Sequence, residues 1–120
     1  MPESYTGPII EENTVVDHKL AVECMNYMKD QKYIHKKYCW IILQRVIKIM
    51  EKEDNCVYVN IPDDKKFTVC GDVHGQYYDL LNIWTLNGYP SAENPYLFNG
   101  DFVDRGSFSV ECILAFYIWK

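Results

Sequence analysis

Two short motifs place chemically reactive side chains directly after strand-like segments. The first motif, Gly-Asp-x-His-Gly, contains Asp72 and His74, and the second, Gly-Asp-x-x-Asp-Arg-Gly, contains Asp101, Asp104 and Arg105. Carboxylate oxygens and imidazole nitrogens are good ligands for manganese, iron and zinc. An arginine on a turn bounded by glycine suits bidentate recognition of a phosphate. Together the motifs predict metal-dependent chemistry on a phosphate ester.

Neither motif supports this prediction alone. A lone Asp-x-His step is usually a capped turn without a metal. Asp63 and Asp64 are likewise predicted to be turn residues. His18 and His35 lie in helical segments without a partner motif, so we interpret both as surface or structural histidines. The metal interpretation gains its weight from the two motifs occurring together, in this order and at this separation.

The pattern around the motifs predicts a strand–helix–strand–helix unit. The segments are a buried strand in KKFTVCGD, a helix in YYDLLNIWTLNG that ends at Gly88, a strand in NPYLFNGD and a helix in SVECILAFYIWK. Strands joined through a helix are expected to be parallel with a right-handed crossover. The carboxyl ends of parallel strands face one crevice. We therefore expect Asp72 and Asp101 to meet at one edge of a sheet.

Helices are predicted upstream of this unit. Residues 1–13 are expected to form an extended lead-in, followed by a helix from a cap at Asn13-Thr14 to about Lys29 and a second helix from about Ile34 to Glu53. In the first helix Val16, Leu20, Cys24 and Met28 share a face, and in the second Tyr38, Ile42, Val46 and Met50 do so. The segment CVYVNIP alternates and predicts a short strand or a strand-like connector. The predicted fold class is α/β, in one domain with a helical segment over 14–53 and a βαβα metal half-site over 66–120.

Composition narrows the function classes. The chain has 120 residues, 48% of them hydrophobic, and a net charge of −5 without a long basic run, which argues against a nucleic-acid partner. No apolar segment is long enough to span a membrane, and the N-terminus lacks the pattern of a signal peptide. The five cysteines are odd in number and lack C-x-x-C spacing, so reduced thiols in an intracellular protein are expected.

The two motifs resemble the first two of the three signatures of the phosphoprotein phosphatases, the binuclear metal serine/threonine phosphatases. The flanking segments YTGPIIEE, MKDQKYIHKKY and DLLNIWTLNGYPSAENPYLFNGDFVDRGSFSVE are most similar to the type 5 branch of that family. The resemblance covers nearly the whole chain. It implies that the chain is the N-terminal half of a metallophosphatase β-sandwich with α/β/β/α layers.

The resemblance also implies roles for individual residues. Asp72 and His74 would bind the first of two metal ions (manganese, iron or zinc), and Asp101 would bridge both metals. Arg105 would hold the substrate phosphate, in a pocket that His74 also lines. Asp104 would orient a histidine that acts as general acid. The implied enzyme hydrolyses phosphoserine and phosphothreonine in protein substrates, in the cytoplasm and the nucleus.

The chain departs from the family pattern after the second motif. The third signature, Gly-Asn-His-Glu, two later histidine ligands and a second phosphate-binding arginine are absent from the sequence. We expect the tetratricopeptide region that precedes the catalytic domain in type 5 enzymes to be absent as well. The last helix reaches Lys120 without a cap, which indicates an excerpt of a longer protein. We therefore expect little or no turnover from this chain alone, and a tendency to associate or aggregate. Two alternatives stay open: a short non-catalytic binding or interfering product, and a diadenosine tetraphosphate hydrolase, which shares both motif cores.

Overall fold

The computed structural model describes residues 4–120, which form four helices and one two-stranded parallel sheet. The elements are α1 (His18–Lys29), α2 (Lys36–Met50), β1 (Thr68–Cys70), α3 (Tyr77–Asn87), β2 (Tyr96–Phe98) and α4 (Ser109–Trp119). This order confirms the α/β fold class. Residues 1–3 of the predicted lead-in lie outside the described part. The chain divides into two compact units, Met1–Glu53 with Leu114–Lys120, and Asp54–Ile113.

Helix α1 begins four residues later than the sequence pattern predicted. Asp17 is the N-cap, and its Oδ1 accepts a hydrogen bond from the amide of Leu20 at 2.8 Å. Thr14 forms a turn instead, because its Oγ1 accepts from the amide of Glu11 at 2.9 Å. The predicted cap at Asn13-Thr14 is therefore wrong, although the expected end at Lys29 is confirmed. The buried side of α1 consists of Ala21, Cys24, Met25 and Met28.

Helix α2 is shorter than predicted at both ends. His35 is its N-cap, and the Nδ1 atom of that residue accepts from the amide of Lys37 at 3.2 Å. The predicted apolar face is confirmed at Tyr38, Ile42 and Val46, which are buried, but Met50 at the end of the helix is about half exposed.

The lead-in packs against the first two helices through Tyr5. Its ring lies 5.6–5.8 Å, between ring centroids, from the rings of Tyr27, His35 and Tyr38. Ile10, a few residues on, is fully buried. Burial raises the pKa of Tyr5 to about 12. The aromatic cluster explains how a segment without secondary structure holds a fixed position.

The segment between the helices and the sheet contains no strand, so of the two forms predicted for CVYVNIP the strand is absent and the segment is a connector. Its side chains are exposed, and the ring of Tyr58 is 93% accessible. Alternating β-branched residues form a strand only when a neighbour accepts their backbone hydrogen bonds. Within residues 4–120 the connector has no such neighbour.

The predicted βαβ unit is present. Strands β1 and β2 are parallel, with Val69 opposite Leu97 and Cys70 opposite Phe98. The pattern predicted a buried first strand, but Val69 is 66% exposed on the outer face of the sheet, so that expectation is wrong for this chain. The apolar composition of a strand shows that a face can be buried and does not show what covers it.

Helix α3 connects the two strands and carries the core of the second unit. Leu80, Leu81 and Trp84 are buried, and the ring of Trp84 meets that of Phe98 edge-on at 6.4 Å. The helix ends at Gly88, whose φ of 84° lies in the left-handed region that favours glycine. The predicted helix stop at Gly88 is therefore confirmed. None of the helices in the described part of the chain has the length and apolarity needed to cross a membrane.

Candidate metal centre

The structure brings three of the predicted site residues together. Asp72 follows β1 by two residues and Asp101 follows β2 by three, and each lies with His74 in a cluster whose ligand atoms are within 4.8 Å of one another. The Nε2 atom of His74 is 3.5 Å from Oδ2 of Asp72. Both aspartates are exposed, whereas the side chain of His74 is only 16% exposed. This juxtaposition follows from the parallel pairing of β1 and β2, which brings two strand ends to one edge.

Two of these ligands have an unusual backbone conformation. His74 has a φ of 47° and Asp101 a φ of 50°, both in the left-handed region that is uncommon outside glycine, although aspartate and histidine adopt it more often than most residues. The amides of Val73 and His74 both donate to the carbonyl of Asp101, at 3.0 and 2.9 Å. These bonds tie the backbone of the first motif directly to that of the second.

The imidazole of His74 is held in one orientation. Its Nδ1 is 2.9 Å from the carbonyl oxygen of Val103. Because a carbonyl oxygen can only accept, Nδ1 donates to Val103, and Nε2 is the ring nitrogen that faces Asp72. A metal-binding histidine is typically held in this way, with one ring nitrogen donating to a carbonyl and the other free to coordinate. The residues present therefore fit a divalent metal.

The two motifs approach each other more closely than a side chain would permit. A Cβ atom on Gly75 would lie 2.9 Å from the carbonyl oxygen of Gly106, and a Cβ on Gly106 would lie 2.7 Å from the carbonyl carbon of Gly75. Two hydrogen bonds hold this contact. The amide of Gly106 donates to the carbonyl of His74 at 2.8 Å, and the amide of Phe108 donates to the carbonyl of Gly75 at 3.0 Å. Glycine at these two positions is thus required by space.

Asp104 and Arg105 lie on an exposed turn of the second motif. Asp104 is outside the cluster of three ligands, and both residues have left-handed backbones, with φ of 70° and 64°. The amide of Asp104 donates to Oγ of Ser109 at 3.0 Å. Nothing in the described residues establishes the roles that the resemblance gives to these two side chains, so those roles stay predictions.

Sequence reasoning missed two groups at the site. The carbonyl of Val103 orients His74, and the hydroxyl of Ser109 holds Asp104. A backbone carbonyl leaves no signal in a sequence, because every residue has one. His18 and His35 are not members of the cluster of candidate ligands. The ring centroid of His18 lies 5.3 Å from that of Trp119, and His35 is the N-cap of α2. Both therefore have the surface or structural roles that we predicted for them.

Comparisons with known proteins agree with this geometry. Residues 65–119 match the family model of the calcineurin-like phosphoesterases, and residues 1–58 match a model described as the PPP5 TPR repeat region. The chain is 49% identical over 118 residues to human serine/threonine-protein phosphatase 5, an alignment that covers 98% of this chain and 23% of the relative. The chain is therefore similar to one part of the phosphatase 5 family proteins. The Arabidopsis thaliana member is 51% identical over 117 residues, covering 97% of the chain and 21% of the relative.

A solved structure supports the similarity to phosphatase 5 at the level of the fold. It is a protein serine/threonine phosphatase from Saccharomyces cerevisiae with similarity to human phosphatase PP5, and it matches with a TM-score of 0.79 and 39% identity. The match covers 84% of this chain and 33% of the yeast chain.

The chain spans about a quarter of the length of the curated phosphatase 5 relatives it matches. The match to the PPP5 TPR repeat region falls on the segment that contains α1 and α2. Our expectation that the chain holds no part of a tetratricopeptide region is therefore not supported.

Proposed function

We propose that the phosphatase 5 family protein containing this chain is a metal-dependent hydrolase that removes phosphate from phosphoserine and phosphothreonine in proteins. The observation that carries the proposal is the cluster of Asp72, His74 and Asp101, whose ligand atoms lie within 4.8 Å of one another at the ends of two parallel strands. The similarity to serine/threonine phosphatases supports the choice of substrate class.

The same three residues would hold the metal, with manganese, iron or zinc as candidates. A divalent metal bound there supplies a Lewis acid and lowers the pKa of a coordinated water. His74 would offer Nε2, since Nδ1 is committed to Val103. Asp72 and Asp101 would offer carboxylate oxygens that are already on the exposed side of the loops.

Arg105 would hold the substrate. Its guanidinium is on the exposed turn that follows Asp101, and a planar cation can bind two phosphate oxygens at once. Fixed positive charge there would stabilise the negative charge on the phosphoryl oxygens as the ester bond breaks. Asp104, beside it, would orient the general-acid histidine that the family resemblance implies elsewhere in the protein.

We propose further that residues 1–120 alone turn over little substrate. The resemblance assigns the general acid and a second arginine to sequence that this chain does not contain. Loss of one preorganised charge-stabilising group typically costs ~100- to 1000-fold in rate. Phosphorylated proteins are the proposed partners of the whole protein, and the cytoplasm and nucleus its proposed location.

The test uses the full-length protein and a phosphoserine or phosphothreonine peptide, with release of phosphate as the readout in the presence of Mn²⁺. We expect turnover by the unmodified protein and a loss of at least ~100-fold in Asp101→Asn, because one carboxylate ligand is removed. Asp63→Asn is the matched control, since Asp63 is an exposed acidic residue outside the ligand cluster, and it should leave the rate unchanged.

Two outcomes would contradict the proposal. Hydrolysis of diadenosine tetraphosphate without hydrolysis of the peptide would identify a nucleotide hydrolase. Absence of any phosphate release from a folded, metal-loaded, full-length protein would favour a non-catalytic binding role.

A further inference from the structure

The turn that carries Arg105 needs an external support. Asp104 and Arg105 are consecutive residues in the left-handed region, with φ of 70° and 64°, and neither is glycine. Such conformations persist only where the surrounding structure holds them. Both residues are exposed, so packing of their own side chains does not provide that support.

Hydrogen bonds to the backbone of the turn provide it. The amide of Asp104 donates to Oγ of Ser109 at 3.0 Å, and the amide of Gly106 donates to the carbonyls of Asp104 and His74, each at 2.8 Å. The bonds from Gly106 join backbone to backbone. The bond to Ser109 is therefore the support that a side-chain substitution can remove.

Ser109 is itself fixed in place. It is the first residue of α4, and the amide of Cys112 in the first turn donates to the carbonyl of Phe108 at 3.0 Å. Its Oγ also lies 2.9 Å from the position that a Cβ on Gly75 would take. The hydroxyl thus fills a small space between the first motif and the turn, and connects both to a helix.

We propose that Ser109 is a positioning residue that directs Arg105 towards the substrate phosphate. The inference rests on the proposed function and adds to it a residue outside both motifs. Without the hydroxyl, the amide of Asp104 loses its acceptor and the left-handed pair can relax towards commoner backbone conformations. The guanidinium of Arg105 would then occupy a wider range of positions.

The metal ligands should be unaffected by this change. Their backbone keeps the bonds from the amides of Val73 and His74 to the carbonyl of Asp101, and the bond from Gly106 to His74 does not involve Ser109. A role confined to the turn therefore predicts weaker phosphate binding with unchanged metal content, whereas a general structural role predicts loss of both.

The experiment compares Ser109→Ala, Ser109→Thr and the control Ser107→Ala in the full-length, metal-loaded protein. Ser107 is an exposed serine in the same loop. For Ser109→Ala we expect the inhibition constant for inorganic phosphate and the KM for phosphopeptide to rise about five- to tenfold, the effect of one hydrogen bond, with metal content unchanged. Ser109→Thr, which keeps the hydroxyl, and Ser107→Ala should stay within twofold of the unmodified protein. If Ser109→Ala does not fold, Ser109→Cys takes its place, since sulfur is a weak acceptor.

A double variant tests whether Ser109 acts through Arg105. Calorimetric titration with phosphate should show that Ser109→Ala changes the affinity less than twofold once Arg105→Ala is present. The same loss in both backgrounds, an unchanged inhibition constant, or a parallel loss of metal would overturn the inference. Phosphate binding is measured without turnover, so a protein that binds phosphate through Ser109 and Arg105 but does not hydrolyse phosphopeptides would refute the proposed function alone.

Discussion

Gly106 is where the second motif comes closest to the first, and replacing it by alanine should disrupt the metal centre. The φ of Gly106 is not in the left-handed region, so alanine can adopt its backbone conformation. The obstacle is space. The new Cβ would lie 2.7 and 2.8 Å from the carbonyl carbon and oxygen of Gly75, and closer still to the carbonyl oxygen of His74.

The size of the effect follows from these contacts. Ordinary van der Waals contact begins near 3.4 Å, so the loops must separate by about 0.7 Å at Gly75 and by more at the carbonyl oxygen of His74. The hydrogen bonds from Gly106 to His74, at 2.8 Å, and from Phe108 to Gly75, at 3.0 Å, would then exceed good geometry. Two such bonds contribute about 1–3 kcal/mol together. Because His74 moves with its carbonyl, we also expect metal affinity to fall ~10- to 100-fold.

The assay is metal titration and urea unfolding of the full-length protein. Gly71→Ala is the matched control, since Gly71 adjoins Asp72 but a Cβ there would meet nothing within 4 Å. We expect Gly71→Ala to resemble the unmodified protein. Equal metal affinity and stability in the two variants would refute the idea that close apposition of the loops builds the site.

Three further predictions concern the rest of the fold. Asp17→Ala should lower the free energy of unfolding by about 1 kcal/mol because α1 loses its cap, and an equal loss in Asn13→Ala would contradict this assignment. At pH 8, iodoacetamide should alkylate exposed Cys56 and spare Cys24 and Cys112, which are fully buried; peptide mass mapping that finds all three labelled in the native protein would refute the described core. Burial raises the pKa of Cys24 and Cys112 from 9.0 to about 12, so above pH 9 the unfolded chain loses these protons while the folded chain keeps them. The contribution of these thiols to the free energy of unfolding is therefore fully present below pH 9 and should be lost between pH 9 and 12, by at most about 1.4 kcal/mol per pH unit for each thiol. Urea unfolding at a series of pH values measures this loss. Cys24→Ala should make the free energy of unfolding fall less steeply with pH, whereas Cys56→Ala should not.

Helix boundaries show where sequence patterns were insufficient. The apolar spacing in α1 and α2 correctly indicated helices, because that spacing reflects a buried side. It did not distinguish Asn13-Thr14 from Asp17 as the cap, since all three residue types can accept the first free amides. The choice depended on Glu11, whose contact with Thr14 forms a turn.

Burial of the sheet could not be predicted from the sequence alone. The strand over Thr68–Cys70 has the composition of a buried strand, yet Val69 is mostly exposed. The connector around Tyr58 has a strand pattern and forms no strand. Both cases have one cause, because a strand is completed by its neighbours and composition does not specify them.

The sequence by itself determined which residues form the candidate metal centre. The spacing of Asp72, His74 and Asp101 behind two strand patterns, together with parallel pairing, was sufficient to predict one cluster of ligands, because the rules for βαβ connections leave few alternatives. Only the tertiary structure decided how the cluster is supported. The carbonyl of Val103, the hydroxyl of Ser109 and the contact between Gly75 and Gly106 join groups about 5 to 31 residues apart. Such supports depend on distances between backbones, and those distances exist only once the two loops have been folded against each other.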